Sequence, residues 1–428
     1  MTGQLQLQRD TEIFFSTRNL SGGDTAASLT PINTWKIEIL AGYAASQAAG
    51  TQDINSMESG LTPDRSSRRF NISLQPVEWN FQTYLRPTGT NRTVPHAGSD
   101  GWASAQSTNV RPVADWFMWQ AMLSNTSIVT SSNSNSGQSA WQNYGQFDLV
   151  TRSGTTNTAA HTSNFGSAQE NHLYVKMDNI IYQIANAAVE SAEIDGSIDG
   201  IAMTTWSGKG TNLVELTGAY RNAAIAVFGG INNSGTSVTA NGNVYAMTVG
   251  SSYHPWGLSN TQVGGLREAK FIKNRLGTIV LAHTTEAGTA TSYTFPITAM
   301  SISIKNNLTY LIPEEMTKLN QPIGQFAGSR EITGSVSAYL RADTAGTAQF
   351  LRNIATDTRP TFAQTANANI CIGGNSVPNM SFYMPAVQFQ IPTHNIQDII
   401  SINMEFKAQE PLATEGDGGE LLLRVNYI

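Results

Sequence analysis

The strongest constraint on the fold is a strict alternation of apolar and polar side chains that recurs along the chain. Ile37 and Ile39 alternate with Lys36 and Glu38, and the segment from Ile400 to Phe406 is apolar at every second position. A two-residue period places apolar side chains on one face of a strand and polar ones on the other. The pattern therefore predicts a mainly β protein built from half-buried strands.

Three pairs of segments repeat within the chain in the same order, which predicts an internal duplication. We expect the following pairs to hold equivalent positions in two β-sandwich units: Ile37 with Ile302, Leu85 with Leu340, and Tyr182 with Phe389. The predicted units cover residues 1–222 and 266–428 and are joined by a polar connection at 223–265. The first unit carries a Ser/Asn/Thr/Gly-rich insertion at about 124–170.

One helix is predicted in each unit. Trp116, Trp119 and Leu123 are spaced as one face of a helix, and Phe350 and Ile354 form a shorter stripe of the same kind. An amphipathic helix of a globular protein buries its apolar face, so we expect both stripes to pack against a sheet. Earlier in the chain, Pro76 interrupts an alternating segment, which predicts a bulge or a break between strands.

Composition disfavours several classes of function. Charged residues make up 13% of the 428 residues and the formal net charge is −6, without a basic stripe, so tight nucleic-acid binding is not expected. The lone Cys371 excludes an internal disulfide framework. The N-terminus does not resemble a signal peptide, and no apolar run approaches the roughly 20 residues of a membrane span. We expect synthesis in a cytoplasm and no membrane partner.

No sequence motif indicates catalysis, a cofactor or a metal. The six histidines are not at metal-ligand spacing, and the nucleophile-elbow and Walker patterns are absent. Asp195 and Asp199 are four residues apart but lack the remaining ligands of a calcium loop. Together with Ser197 they would line one solvated strand face. We therefore predict a protein that is not an enzyme.

Three segments, Glu190–Leu216, Val77–Pro87 and Phe382–Glu410, together resemble the tail tube, or major tail, proteins of tailed bacteriophages. The resemblance implies tandem tail-tube-like β-sandwich or barrel domains, each with one packed α-helix and a long loop. It also implies stacked rings around a channel that conducts DNA into the host. A chain with a doubled domain would form homotrimeric, pseudo-sixfold rings.

The same resemblance suggests roles for particular residues and partners. Asp195, Ser197 and Asp199 would face the channel. The long loops around 41–60 and 306–325 would help rings to stack, with Asn306, Leu308, Tyr310 and Asn320 as candidate contacts. Other tail proteins (tape measure, terminator, baseplate or tip, and sheath in a contractile tail) would be the further partners in the virion.

Two alternatives remain at this point. A capsid-decorating or receptor-binding virion protein could stack sugars on aromatic residues of the polar loops, namely Trp141, Tyr144 and Trp256. A β-sandwich hydrolase could use Glu193, Asp195 or Asp199, and it would need a concave site with a perturbed carboxylate.

Overall fold

The mainly β fold is confirmed by a computed structural model of the chain. The structure describes residues 11–16, 19, 34–40, 42–55, 66–85, 92–96, 104–110, 115–123, 145–150, 171–177, 180–218, 238–240, 243–245, 272, 274, 277–284, 290–314, 319–343, 346–356, 366–373, 379–390, 393–395, 400–410 and 420–427. Within them, no helix is long and apolar enough to cross a membrane.

The first part of the chain contains the strands and helix that follow, in order: β1 Thr11–Ser16, β2 Thr34–Ile37, β3 Ala44–Asn55, β4 Ser67–Tyr84, β5 Arg92–His96, β6 Ser104–Val110, α1 Trp116–Leu123, β7 Gly145–Val150, β8 His172–Met177, β9 Ile180–Ala185, β10 Ala188–Ser197, β11 Met203–Gly210 and β12 Asn212–Glu215. A short pair, β13 Val238–Ala240 and β14 Asn243–Tyr245, lies in the connection.

The second part contains β15 Thr278–Thr284, β16 Ala290–Lys305, β17 Leu308–Leu311, β18 Gly324–Ala327, β19 Glu331–Tyr339, α2 Thr347–Thr356, β20 Ala366–Ile372, β21 Asn379–Met384, β22 Ala386–Phe389, β23 Thr393–Asn395, β24 Ser401–Gln409 and β25 Leu422–Tyr427.

One antiparallel sheet, which we call the central sheet, runs across both parts of the chain. Its strand order is β3-β4-β11-β10-β16-β19-β24-β22, with β23 also paired to β24. The two parts meet where β10 pairs with the C-terminal portion of β16, from Ser191 with Lys305 to Ser197 with Ala299. Backbone hydrogen bonds therefore continue from the first part of the chain into the second without an edge.

Each part of the chain also contributes a flanking sheet, and the two flanking sheets have the same strand order. The first is β12-β9-β8-β1-β2. The second is β25-β21-β20-β15-β16, extended by β7 beyond β25, and there the N-terminal portion of β16 takes the place of β2. β16 thus belongs to two sheets, whereas in the first part β2 and β3 are separate strands.

The structure agrees with one of the three expected residue pairs. Leu85 N donates to Ala202 O at 2.9 Å, and Leu340 N donates to Ile400 O at the same distance, so Leu85 and Leu340 hold matching places. The expectation for Ile37 and Ile302 is wrong, because Ile37 pairs with β1 whereas Ile302 lies between β10 and β19.

The third expected pair is also wrong. Tyr182 lies on β9 in the first flanking sheet, and Phe389 lies on β22 in the central sheet. Both wrong alignments match alternating segments that are shifted along the chain. A period of two recurs in every half-buried strand, so alternation alone does not fix which strands correspond.

Both predicted helices are present and cover the central sheet. Trp119 and Leu123 of α1 are fully buried, and Trp119 packs edge-on against Trp206 of β11 with ring centroids 4.8 Å apart. In α2, Phe350 is buried against Tyr293 and Phe389, whereas Ile354 is half-buried. The side chain of Trp116 lies outside the described residues.

The predicted irregularity at Pro76 is a bulge in a continuous strand. Gln47 pairs with Val77 and Ala49 with Leu74, so β4 holds one extra residue opposite β3. The bulge lets the proline, which has no N–H to donate, remain within the strand. The polar insertion also contributes regular structure, since its residues 145–150 form β7 and pair with β25 of the second part.

Candidate assembly surfaces

The central sheet has one buried face and one open polar face. On β10, Ala192 and Ile194 are buried, whereas Glu193, Asp195 and Ser197 are exposed on the opposite face. Asp199 is exposed in the turn that follows β10. The three residues predicted to face the channel are therefore solvent-exposed, and Asp195 and Ser197 share one open surface.

Side chains of the open face bond to one another across the strands. Ser191 and Ser207 hydroxyls are 2.7 Å apart, and Ser301 and Ser335 hydroxyls are 3.0 Å apart. Gln82 donates from Nε2 to the Thr205 hydroxyl at 3.2 Å. Much of the hydrogen-bonding capacity of these uncharged side chains is therefore used within the sheet.

Charged residues of the open face lie in one row across six adjacent strands, which we call the charge belt. In strand order from β4 to β24, the belt reads Glu78, Lys209, Glu190, Lys305, Glu331 and Lys407. The sign alternates at every step. Between the belt and the end of the sheet that carries the β10–β11 turn, the described charged residues of this face are Glu193, Asp195 and Glu405, all of them acidic.

Two pairs in the charge belt are in direct contact. Lys209 Nζ lies 2.5 Å from Glu190 Oε1, and Lys407 Nζ lies 2.9 Å from Glu331 Oε1. The hydrogen bond from Lys407 lowers the pKa of Glu331, and the charges of Lys407 and Lys305 lower it further. Glu331 therefore stays ionised to a lower pH than an unpaired glutamate would.

Neither outer strand of the central sheet has a second partner strand within the part of the chain that the structure describes. Among the described residues, β3 pairs only with β4, and β22 pairs only with β24. Free edges of this length invite pairing with another strand. The central sheet is therefore able to extend at both sides by adding a strand of another copy.

Two hairpins extend from one end of the central sheet. The distal halves of β3 and β4 form the first arm, residues 49–55 with 67–74, and β17 with β18 forms the second arm. The two regions predicted to be long loops, around 41–60 and 306–325, thus contain paired strands. The arms touch, because Leu74 N donates to Asn320 O at 2.8 Å.

The four candidate stacking residues of the second arm help to hold it against the chain. Asn306 and Leu308 are buried, and Asn306 Nδ2 donates to Met122 O at 3.2 Å. The Tyr310 hydroxyl donates to Asn186 O at 3.1 Å, and burial followed by the charge of Glu190 raises the pKa of Tyr310. Asn320 is half-buried at the contact between the arms.

Exposed large apolar side chains occur at the two opposite ends of the central sheet. The arm end holds Ile54, Phe70, Ile72, Leu311 and Ile323, and the turn end holds Ile198, Ile201, Tyr339 and Ile400. Ile323 is the most exposed of them at 66%. The described residues hold no other exposed large apolar side chain, so apolar contact surface is concentrated at the ends.

Sequence reasoning found the exposed aspartates but missed the charge belt and the apolar ends. The belt depends on strand register, which is not visible in the sequence. Phe70 and Ile72 do alternate with polar residues, but that pattern does not tell a buried face from an exposed one. Trp141, Tyr144 and Trp256 of the sugar-binding alternative lie outside the described residues.

The described residues contain no cluster of three or more His, Cys, Asp or Glu able to hold a metal ion. Cys371 is buried, and burial raises its pKa to about 12. A polar open face, two free sheet edges and apolar ends define a β protein suited to assembly with copies of itself.

Comparison with known proteins supports that class and adds a relative. The chain is 26% identical to the tail tube protein pb6 of Escherichia phage T5 over 426 residues, which are 99% of this chain and 76% of the phage T5 protein. No family model matches the chain. The chain is a homologue of a phage tail tube protein, and the resemblance inferred from its sequence is confirmed.

Proposed function

We propose that the chain polymerises into stacked rings that form the tail tube of a phage virion, with DNA passing through the lumen. Three chains form each ring, and each chain contributes two similar units, residues 1–222 and 266–428. The relationship to a tail tube protein supports the structural role. The ring itself is inferred from one observation, the way the two parts of this chain join in the central sheet.

The β10–β16 junction supplies a pattern for the contact between chains. The central sheet consists of two matching four-strand halves, β3-β4-β11-β10 and β16-β19-β24-β22. β10 is the last strand of the first half, and β22 with β23 is the last of the second. The free strand β3 corresponds to β16, and the free strands β22 and β23 correspond to β10. A neighbouring chain that repeats the internal junction would pair its β3 with β22 and β23 and remove both free edges.

The register of that contact follows from matching hydrogen bonds. Ala202 O accepts the bond from Leu85, and Ile400 O accepts the equivalent bond from Leu340. The next residues along the chain are Met203, which pairs with Asp195, and Ser401, which pairs with Asn395. After Val189, β10 gains one residue relative to its partner strand β11. After Phe389, the β22–β23 segment likewise gains one residue relative to its partner strand β24. Asn395 is therefore the counterpart of Asp195.

The residue of β3 that should lie opposite Asn395 is found by comparing the two halves of the central sheet. Asp195 pairs with Ser301, which pairs in turn with Ser335 of β19. Ser335 lies as far before Leu340 as Asn80 lies before Leu85, and Asn80 pairs with Ala44. Ala44 therefore corresponds to Ser301. Asn395 of one chain is expected to lie opposite Ala44 of the next.

A double variant, Asn395→Cys with Ala44→Cys, tests both the contact and the number of chains. Under mild oxidation of assembled tubes we expect covalent species up to a closed trimer and none larger on a non-reducing gel. The buried Cys371 should stay unreactive, since the reactive species is the thiolate.

Two matched variants complete the cross-linking experiment. Asp195→Cys with Ser301→Cys should form its bridge within one chain and migrate as a monomer. Asn395→Cys with Thr51→Cys shifts one partner along β3 and should not cross-link. Efficient bridging of the shifted pair would contradict the register, and a ladder up to six chains would contradict the trimer.

A charge-reversal variant tests whether the exposed aspartates face the lumen. Asp195→Lys with Asp199→Lys should leave the melting temperature nearly unchanged, because both side chains are solvent-exposed. In assembled particles, we expect slower DNA release through added phosphate attraction. Normal release kinetics from particles that carry the variant would show that these residues do not line the DNA path.

A further inference from the structure

The open face carries lysines even though, under the proposed function, it lines a passage for DNA. Among the described residues of the charge belt the cations are Lys209, Lys305 and Lys407. Lysines on a DNA-facing surface normally add affinity, because each phosphate contact releases condensed counterions. A lumen that retained DNA in this way would slow its passage.

Each lysine of the belt is next to a glutamate. Lys209 lies opposite Glu78 in the β11–β4 register and contacts Glu190 on its other side. Lys305 lies opposite Glu331, and Lys407 contacts Glu331. The lysines and glutamates of the belt are equal in number, so the row as a whole is close to neutral.

The more exposed of the two ion pairs suits shielding more than stabilisation. The Lys407–Glu331 pair is about half exposed, with 54% and 41% of the two side chains accessible. Exposed ion pairs of this kind contribute little to folding. A lysine that already holds a carboxylate has less capacity to exchange counterions for a phosphate, so its attraction for DNA is reduced.

We propose that Glu190 and Glu331 act as fixed counterions for Lys209 and Lys407 and thereby keep the open face from binding DNA. The inference rests on the proposed function for its biological meaning, since the face must line the DNA path. It goes beyond that function in assigning a role to individual residues. Its ligand class is the phosphate backbone of DNA, without sequence preference.

The test compares two double variants that change the net charge equally. Glu190→Gln with Glu331→Gln breaks the ion pairs of Lys209 and Lys407, and it also removes the glutamate opposite Lys305. Glu193→Gln with Glu405→Gln removes two carboxylates of the same face that make no ion pair among the described residues. The unassembled full chain is titrated against a short fluorescent DNA duplex at several salt concentrations.

We expect the first variant to bind the duplex roughly tenfold more tightly than the unaltered chain at low salt, with the salt slope steeper by about two to three, as for two or three added phosphate contacts. The second variant should bind nearly as weakly as the unaltered chain. Adding Lys209→Met, Lys305→Met and Lys407→Met to the first variant should restore weak binding.

Equal binding by the two double variants would overturn the proposal, because net charge alone would then explain the effect. Unchanged binding by the first variant would overturn it as well. Circular dichroism confirms that each variant is folded. Tube formation, followed by electron microscopy, tests the proposed function separately, so failure of one idea is distinguishable from failure of the other.

Discussion

Trp119→Ala is expected to lower the free energy of unfolding by about 3–5 kcal/mol, the usual range for removing a large aromatic side chain from a core. Trp119 is fully buried in α1, 4.8 Å from the ring of Trp206 and 6.4 Å from the ring of Phe382. Phe382 belongs to the second flanking sheet, so the indole joins the helix to both parts of the chain. Chemical denaturation followed by circular dichroism measures the loss.

Ala355→Gln on α2 is the control for the helix substitution. Ala355 is exposed, Gln is a good helix former, and surface substitutions of this kind usually change stability by less than about 0.5 kcal/mol. A loss below about 0.5 kcal/mol for Trp119→Ala would mean that the indole is not part of the core. A broad or biphasic transition would instead indicate that the two parts of the chain unfold separately.

Leu311→Asp with Ile323→Asp is expected to abolish the growth of tubes while leaving single rings intact. Both side chains are exposed on or beside the second arm, at the end of the central sheet opposite Ile198, Ile201 and Ile400. Apolar surface at opposite ends suits head-to-tail contact between successive rings, and a carboxylate buried in such a contact is strongly unfavourable. Electron microscopy of the purified variant distinguishes rings from tubes.

Thr309→Asp provides the control for the stacking variant, because Thr309 is an exposed polar residue of the same hairpin. It adds a charge to the arm without removing apolar surface, and we expect tubes to persist. Tubes of normal length in the double aspartate variant would show that this arm does not join rings. Deletion of the whole hairpin is a poorer test, since Asn306 and Leu308 are buried within the chain.

Much of the fold could be predicted from the sequence, because strands and helices are local patterns. The alternation of Ile402, Met404 and Phe406 correctly indicates a strand with one buried face. The spacing of Trp119 and Leu123 indicates the buried helix, and Pro76 indicates the bulge in β4. These features depend on neighbouring residues and on the backbone restrictions of proline.

The relation between the two parts of the chain could be predicted only partly. The Leu85 and Leu340 segments share Tyr-Leu-Arg, and the structure gives them the same backbone hydrogen bond. Ile37 and Ile302 share only a period, and a period does not specify a strand partner. Side chains that meet across strands, such as Lys209 and Glu190, depend on long-range register and could not be found from either segment alone.

The double membership of β16 has a mechanical consequence. Its N-terminal residues pair with β15, and its C-terminal residues pair with β10 and β19, so one unbroken backbone joins the central sheet to the second flanking sheet. In the first part of the chain this path is divided between β2 and β3, with Gly42 at a φ of 113° in the gap. In a ring of such chains, the continuous strand β16 would be the stiffer connection between sheets and the interrupted β2–β3 path the more flexible one, and the two kinds would alternate. We expect a tube built from them to bend by opening at its compliant positions while the stiff ones keep the bore constant.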